Sequence, residues 1–145
     1  MSQENLEKAR QMFALFRSRD ASAERGFGEV DVAKAIELFH PDFELDTTRA
    51  PMTDLQGRFR GLSDVMEFWR RWLEAWDSIE FEAELTDAGD RVFVEVKQRM
   101  RGKGSGVEVP FPPSWHVITL REGRIIGQAL FLDEGEALEA AGLSE

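Results

Sequence analysis

Few side chains in these 145 residues are suited to chemistry near neutral pH. The sequence holds two histidines, His40 and His116, and neither cysteine nor tyrosine. Lack of cysteine removes disulfides, thiolate nucleophiles and thiolate metal sites together. No carboxylate stands at a recognisable ligand spacing from either histidine, so no metal is expected. An imidazole titrates near neutrality, so His116 can give or take a proton if it faces a ligand; the alternative is a histidine hydrogen-bonded within a sheet. Asp46 could abstract a proton beside a carbonyl if burial raised its pKa. Its alternative is a solvated carboxylate paired with Arg49. Gly102, Gly104 and Gly106 around Lys103 and Ser105 look like a phosphate cradle, yet no helix opens after them, and the run reads as a hairpin loop.

The elements that must position these groups show as changes of period. Leu6, Ala9, Phe13 and Phe16 recur at helical spacing among charged residues and predict an amphipathic first helix. Arg17 to Glu29 reads as a connector. Asp31 as N-cap and the stripe Val32, Ala35, Ile36 and Phe39 predict a second helix that stops at His40 ahead of Pro41. Phe43 and Leu45 alternate with Glu44 and Asp46, a short strand. After Gly61, with Ser63 as N-cap, Val65, Trp69, Trp72 and Trp76 step at four, three and four, which predicts a long helix with an aromatic stripe.

Strict alternation follows. Ile79, Phe81, Ala83 and Leu85 interleave with Glu80, Glu82 and Glu84, the pattern of a strand with one core face and one wet face. A turn at Ala88 to Asp90 leads to Val92, Val94 and Val96. Val107 to Phe111 is extended, with Pro112 and Pro113 at an edge or bulge. Trp115 to Leu120 and Arg124 to Leu132 form a hairpin about Glu122 and Gly123. Asp133 with Glu136 opens a closing helix that Gly142 ends. Helices first and an antiparallel meander after them make an α+β arrangement, a curved sheet wrapped round the N-terminal helices.

Length and composition agree with one domain over residues 1–145, long enough to bury a core unaided. A formal net charge of −10 repels phosphate backbones and anionic lipid, so neither nucleic acid nor membrane is an expected partner. No apolar run is long enough to span a bilayer and the charged start is unlike a signal segment, which makes the cytoplasm the expected location.

The residues His40 to Glu44, Phe59 to Gly61, Trp69 to Trp76, Asp87 to Val92, Arg101 to Gly106, Thr119 to Ile125 and Glu136 to Leu143, taken in order, resemble the SnoaL-like family. That family lies within the nuclear-transport-factor-two-like class. The resemblance covers nearly the whole chain and implies a cone with an interior apolar pocket and a homodimer. It also implies chemistry of the polyketide cyclase or ketosteroid isomerase kind, without cofactor, on a hydrophobic carbonyl-bearing small molecule. A non-catalytic binding module is the alternative.

His116 aligns with an aspartate that serves the cyclases as general acid and base, and Asp46 lies near the place of the isomerase base. Gln128 aligns with a pocket histidine; glutamine can hold a carbonyl but not readily move protons. Arg49, Trp72, Trp76 and Trp115 complete the expected ligand contacts, the tryptophans being compatible with both core and pocket. The isomerase oxyanion hole needs a tyrosine and the epoxide hydrolase set needs Tyr and Asn, whereas Asn5 is the one asparagine here. Neither mechanism transfers intact.

Strand parity sets a condition on the site. His116 reaches the interior only if Trp115 and Val117 face the other way, and Gln128 must then share its face with Ile126 and Leu130. The wet face of the sheet is left for a second copy of the chain. Light scattering at high micromolar concentration should therefore give twice the monomer mass, and a monomer there would remove that expectation.

Overall fold

The computed structural model describes residues 2–17, 37–49, 57–73, 76–102, 107–110 and 113–143. The expected connector at 17–29 and most of the second expected helix lie outside them. The described order is α1 (Ser2–Arg17), β1 (Phe39–Arg49), β2 (Arg58–Arg60), α2 (Gly61–Leu73), β3 (Trp76–Ala88), β4 (Arg91–Gly102), β5 (Glu108–Pro110), β6 (Ser114–Arg121), β7 (Arg124–Phe131) and α3 (Glu134–Ala141). The strands form one curved, unclosed sheet in the order β2-β1-β7-β6-β4-β3, with β5 paired to β4. This is the α+β cone.

Both long helices pack on one face of the sheet. Ala9, Met12 and Phe13 of α1 and Val65 and Phe68 of α2 are buried in one cluster with Val92, Val94, Val96, Ile118, Leu120, Ile125 and Leu130. The spacing of three and four puts each set on one helical face, and the alternation by two does the same for the strands. Asn5 Nδ2 donates to the Gly89 carbonyl at 3.0 Å and ties the start of α1 to the β3–β4 turn. On the opposite face Phe93, Val117 and Phe131 pack with Ala137 and Ala141 of α3. Arg91 Nη1 reaches the Ala140 carbonyl at 2.7 Å and fixes the end of that helix.

Four details differ from expectation. The third expected helix stops at Leu73, and Trp76 opens β3, so the four-three-four tryptophan series crosses two elements. Gly61, at φ 80°, already begins α2, which places Ser63 inside the first turn rather than at its cap. Strand β1 starts at Phe39 and includes Pro41. Its pairing with β7 jumps from Phe39↔Ile125 to Glu44↔Gly127, so the proline falls where no regular ladder bond is asked of it. That same pairing is parallel, whereas the other strand pairs are antiparallel.

The closing elements follow their local chemistry. Asp133 accepts from the Glu136 backbone N–H at 2.8 Å, and Gly142 at φ 76° ends α3 in the left-handed region, which glycine enters without strain. The β6–β7 hairpin turns on Glu122 at φ 53° and Gly123 at φ 77°. Two consecutive positive φ values mark the hairpin turn that prefers Asn-Gly, and a glutamate in its first place carries an avoidable backbone cost. Glu122→Asn should stabilise the domain by about 0.5–1 kcal/mol, read as a higher midpoint in urea; an unchanged or lower midpoint would show that Glu122 makes a compensating contact.

Candidate functional site

Strand β6 brings the candidate residues together. It runs between β4 and β7, with Val94↔His116 on one side and His116↔Leu130 on the other. His116, Ile118 and Leu120 are buried on the face that meets α1 and α2, whereas Trp115 and Val117 pack on the face that meets α3. His116 therefore points inward, as the parity condition requires.

Gln128 stands opposite Ile118, one diagonal step from His116. Its Nε2 lies 2.9 Å from His116 Nδ1. With the amide donating, Nδ1 is the acceptor and the imidazole hydrogen sits on Nε2. Both side chains are buried, and the Phe13 ring of α1 lies 5.6 Å from the imidazole, tilted by 47°. Burial away from water disfavours the charged form and lowers the His116 pKa from its ordinary 6.5 to about 4. The donor from Gln128 acts in the same sense, since imidazolium would need an acceptor at Nδ1.

One part of the parity condition fails for an instructive reason. Gln128 shares its face with Leu130, but Ile125, not Ile126, enters the interior cluster. Between Thr119↔Gly127 and Leu120↔Ile125 strand β6 advances one residue and β7 two. Ile126 is the extra residue of a bulge, and a bulge reverses the alternation beyond it.

Asp46 and Arg49 stand apart from this pair. Leu45 and Thr47 are buried beside it in sequence, so Asp46 projects from the other face of β1. There its Oδ1 accepts from the Thr48 backbone N–H at 2.9 Å and from the Thr48 hydroxyl at 2.6 Å. Arg58 on β2 lies 3.6 Å from its Oδ2. Arg49 pairs with Glu136 of α3 instead. Trp115 also faces outward, packed against the α3 cluster, with a buried Nε1 that has no hydrogen-bond partner among the described residues. The side chains of Trp72 and Trp76 lie outside the described residues.

Three polar residues of this region escaped the sequence reading. Ser114, two residues before His116 on the same face, is buried, and its Oγ accepts from Gln98 Nε2 at 3.4 Å. Gln98 continues the Val92, Val94, Val96 face of β4. Parity alone pointed to both. Thr47 is buried at 0 % exposure. Its backbone N–H donates to the Gly57 carbonyl at 2.8 Å, and its Oγ1 accepts from the Gly57 N–H at 2.9 Å. This long-range clamp has no signal in local sequence. Among the described residues no group of three or more histidines or carboxylates could hold a metal ion, and no helix is long and apolar enough to cross a membrane.

The SnoaL-like domain model matches residues 9–128. The chain belongs to the SnoaL-like family. Among solved structures, TerC co-crystallised with polyporic acid is 20 % identical to this SnoaL-like chain, with TM-score 0.66, covering 96 % of this chain and 98 % of that one. A protein assigned as a SnoaL-like polyketide cyclase from Jannaschia sp. CCS1 is also 20 % identical, with TM-score 0.66 and coverage of 99 % and 94 %. An NTF2-like protein from Burkholderia xenovorans LB400 is 19 % identical, with TM-score 0.68 and 97 % of each chain covered. These likenesses show the fold. No curated protein sequence matches the chain.

The buried imidazole links stability to pH. The unfolded chain binds a proton below pH 6.5, whereas folded His116 binds one only near pH 4. Stability is therefore full above pH 6.5 and falls between there and about 4, by about 3 kcal/mol from this residue alone. Urea midpoints measured from pH 7 to 4 should drop more steeply for the natural chain than for His116→Gln, and parallel profiles would refute a buried neutral histidine.

Proposed function

We propose that this SnoaL-like domain binds a hydrophobic, carbonyl-bearing small molecule on the interior face of its sheet. In this reading neutral His116 offers its Nε2–H to the ligand oxygen and Gln128 holds the ring. The observation that carries it is the His116–Gln128 hydrogen bond inside an apolar cluster. A histidine fixed through Nδ1 has one remaining donor, and burial keeps it neutral at physiological pH.

The same hydrogen bond weighs against the reading in which His116 moves protons in an isomerase- or cyclase-type reaction. With Nδ1 occupied by the Gln128 amide and the hydrogen on Nε2, the ring presents no free lone pair to take a proton from carbon. Hydrogen bonding to a carbonyl oxygen asks for no change of charge. Asp46, on the outer face and engaged by Thr48 and Arg58, has no part in this site. A homodimer through the outer face of the sheet and a cytoplasmic setting belong to the same proposal; the exposed pair Glu82 and Lys97, registered across β3 and β4, gives that face charges of both signs for a second copy to meet.

Acetophenone, followed by NMR titration of the full chain, tests the reading. His116→Phe, which keeps an aromatic ring and loses the donor, should weaken binding about fivefold, the worth of one net neutral hydrogen bond. His116→Gln should stay within twofold, because an amide can still donate. Equal affinity for the natural chain and His116→Phe would sink it.

A further inference from the structure

We propose that the interior wall carries a second ligand-binding station, Ser114 with Gln98, and that the two stations together select a molecule with two neutral acceptor oxygens. This rests on the binding reading above and narrows it to a class of ligand.

The two pairs share one construction. At the first, the Gln128 amide donates to His116 Nδ1, which leaves Nε2–H for an acceptor. At the second, the Gln98 amide donates to Ser114 Oγ, which leaves the hydroxyl hydrogen for an acceptor. In each case a side-chain amide on a neighbouring strand occupies the accepting position of a buried group and turns that group into a donor. Ser114 and His116 are both buried and alternate residues of β6, so their backbones stand about 7 Å apart along one face. Trp115 between them points to the other side. Around them the wall is aliphatic, built of Val94, Val96 and Leu130.

Two donors separated by one strand repeat on an aliphatic wall recognise two acceptors carried on an apolar body. The acceptors are uncharged. Thr47, Ser114, His116 and Gln128 are the buried polar residues among those described, and burial keeps His116 neutral, so none of these four offers an ionised ligand a fixed charge. Ketone and ester oxygens fit; a carboxylate would lose hydration with no cation among these four residues to pair with it, and an ammonium would meet donors where it needs acceptors.

The test compares acetophenone with 1,4-diacetylbenzene, which sets a second carbonyl across the same ring. Both are titrated by NMR into the natural chain, Ser114→Ala and Gln98→Leu, with circular dichroism confirming that each variant is folded. The diketone should bind the natural chain about fivefold tighter than the monoketone. In Ser114→Ala the ratio should fall to the factor of two that two equivalent carbonyls give by statistics. Gln98→Leu should lower it part of the way, since it frees the hydroxyl without removing it. A ratio of two or less in the natural chain, or one that neither variant changes, overturns the second station while leaving the first intact. Failure of both ketones to bind the natural chain overturns the binding reading itself, and this inference with it.

Discussion

Burial of β6 on both faces is the constraint on which the rest of the molecule depends. Its inward residues Ile118 and Leu120 meet α1 and α2, and its outward Val117 meets α3. A slip of one residue against β4 and β7 would exchange the two sets. His116 would then lie under α3 among Ala137 and Ala141, and Val117 would take its place beside Phe13. Because the two faces pack against differently shaped partners, a slip to either side is disfavoured, and the position of the imidazole is fixed by packing rather than by the imidazole itself. The hydrogen bond to Gln128 comes afterwards, made possible by a register that apolar residues have set.

Charge is sorted by the same sheet. On β1 and β2 the ion pairs Glu44 with Arg60 and Asp46 with Arg58 follow the registered partners on the outer face. Arg60 and Arg58 are 83 % and 66 % exposed, so these pairs hold little stability against solvent screening. Their consequence is negative: the carboxylates that could have raised the pKa of a histidine are held on the far side of the backbone. An amide in place of a carboxylate at Gln128 has the same effect from within. A buried glutamate at that position would favour imidazolium, whereas glutamine favours the neutral ring.

Much of this was legible in the sequence where a period was unbroken. The alternation about Val92 to Val96 and Ile79 to Leu85, the capping residues Asp133 and Gly142, and the turn at Gly123 are local signals, and local physics produced them. The placement of Asp46 was legible too, since a strand with Phe43 and Leu45 inward turns Asp46 outward, in keeping with a solvated carboxylate, although its partner is Arg58 rather than Arg49. What was hidden needed a partner far away in the chain. The bulge at Ile126 exists only relative to β6, the parallel pairing joins β1 to a strand some eighty residues on, and the Thr47–Gly57 clamp spans ten residues. The tryptophan series misled for a related reason. Helical spacing continued by coincidence through the boundary at Leu73, and a period cannot show where one element hands over to the next.

The sorting of charge also decides what kind of interaction the interior can make. A carboxylate transferred into such a site without a cation loses several kcal/mol of hydration, whereas each neutral hydrogen bond returns about 0.5–1.5 kcal/mol. Two such bonds cannot offset one buried ion. They can orient a neutral molecule whose affinity comes mainly from apolar area, at about 25 cal/mol per Å² removed from water. The polar groups therefore act through discrimination more than through strength. Leaving either donor without an acceptor costs about as much as filling it gains, so in the proposed site a ligand lacking an oxygen at one station would be rejected by the wall as well as merely missed by it. A face lined with apolar residues that set its register would, in the proposed site, favour a neutral oxygen over an ion.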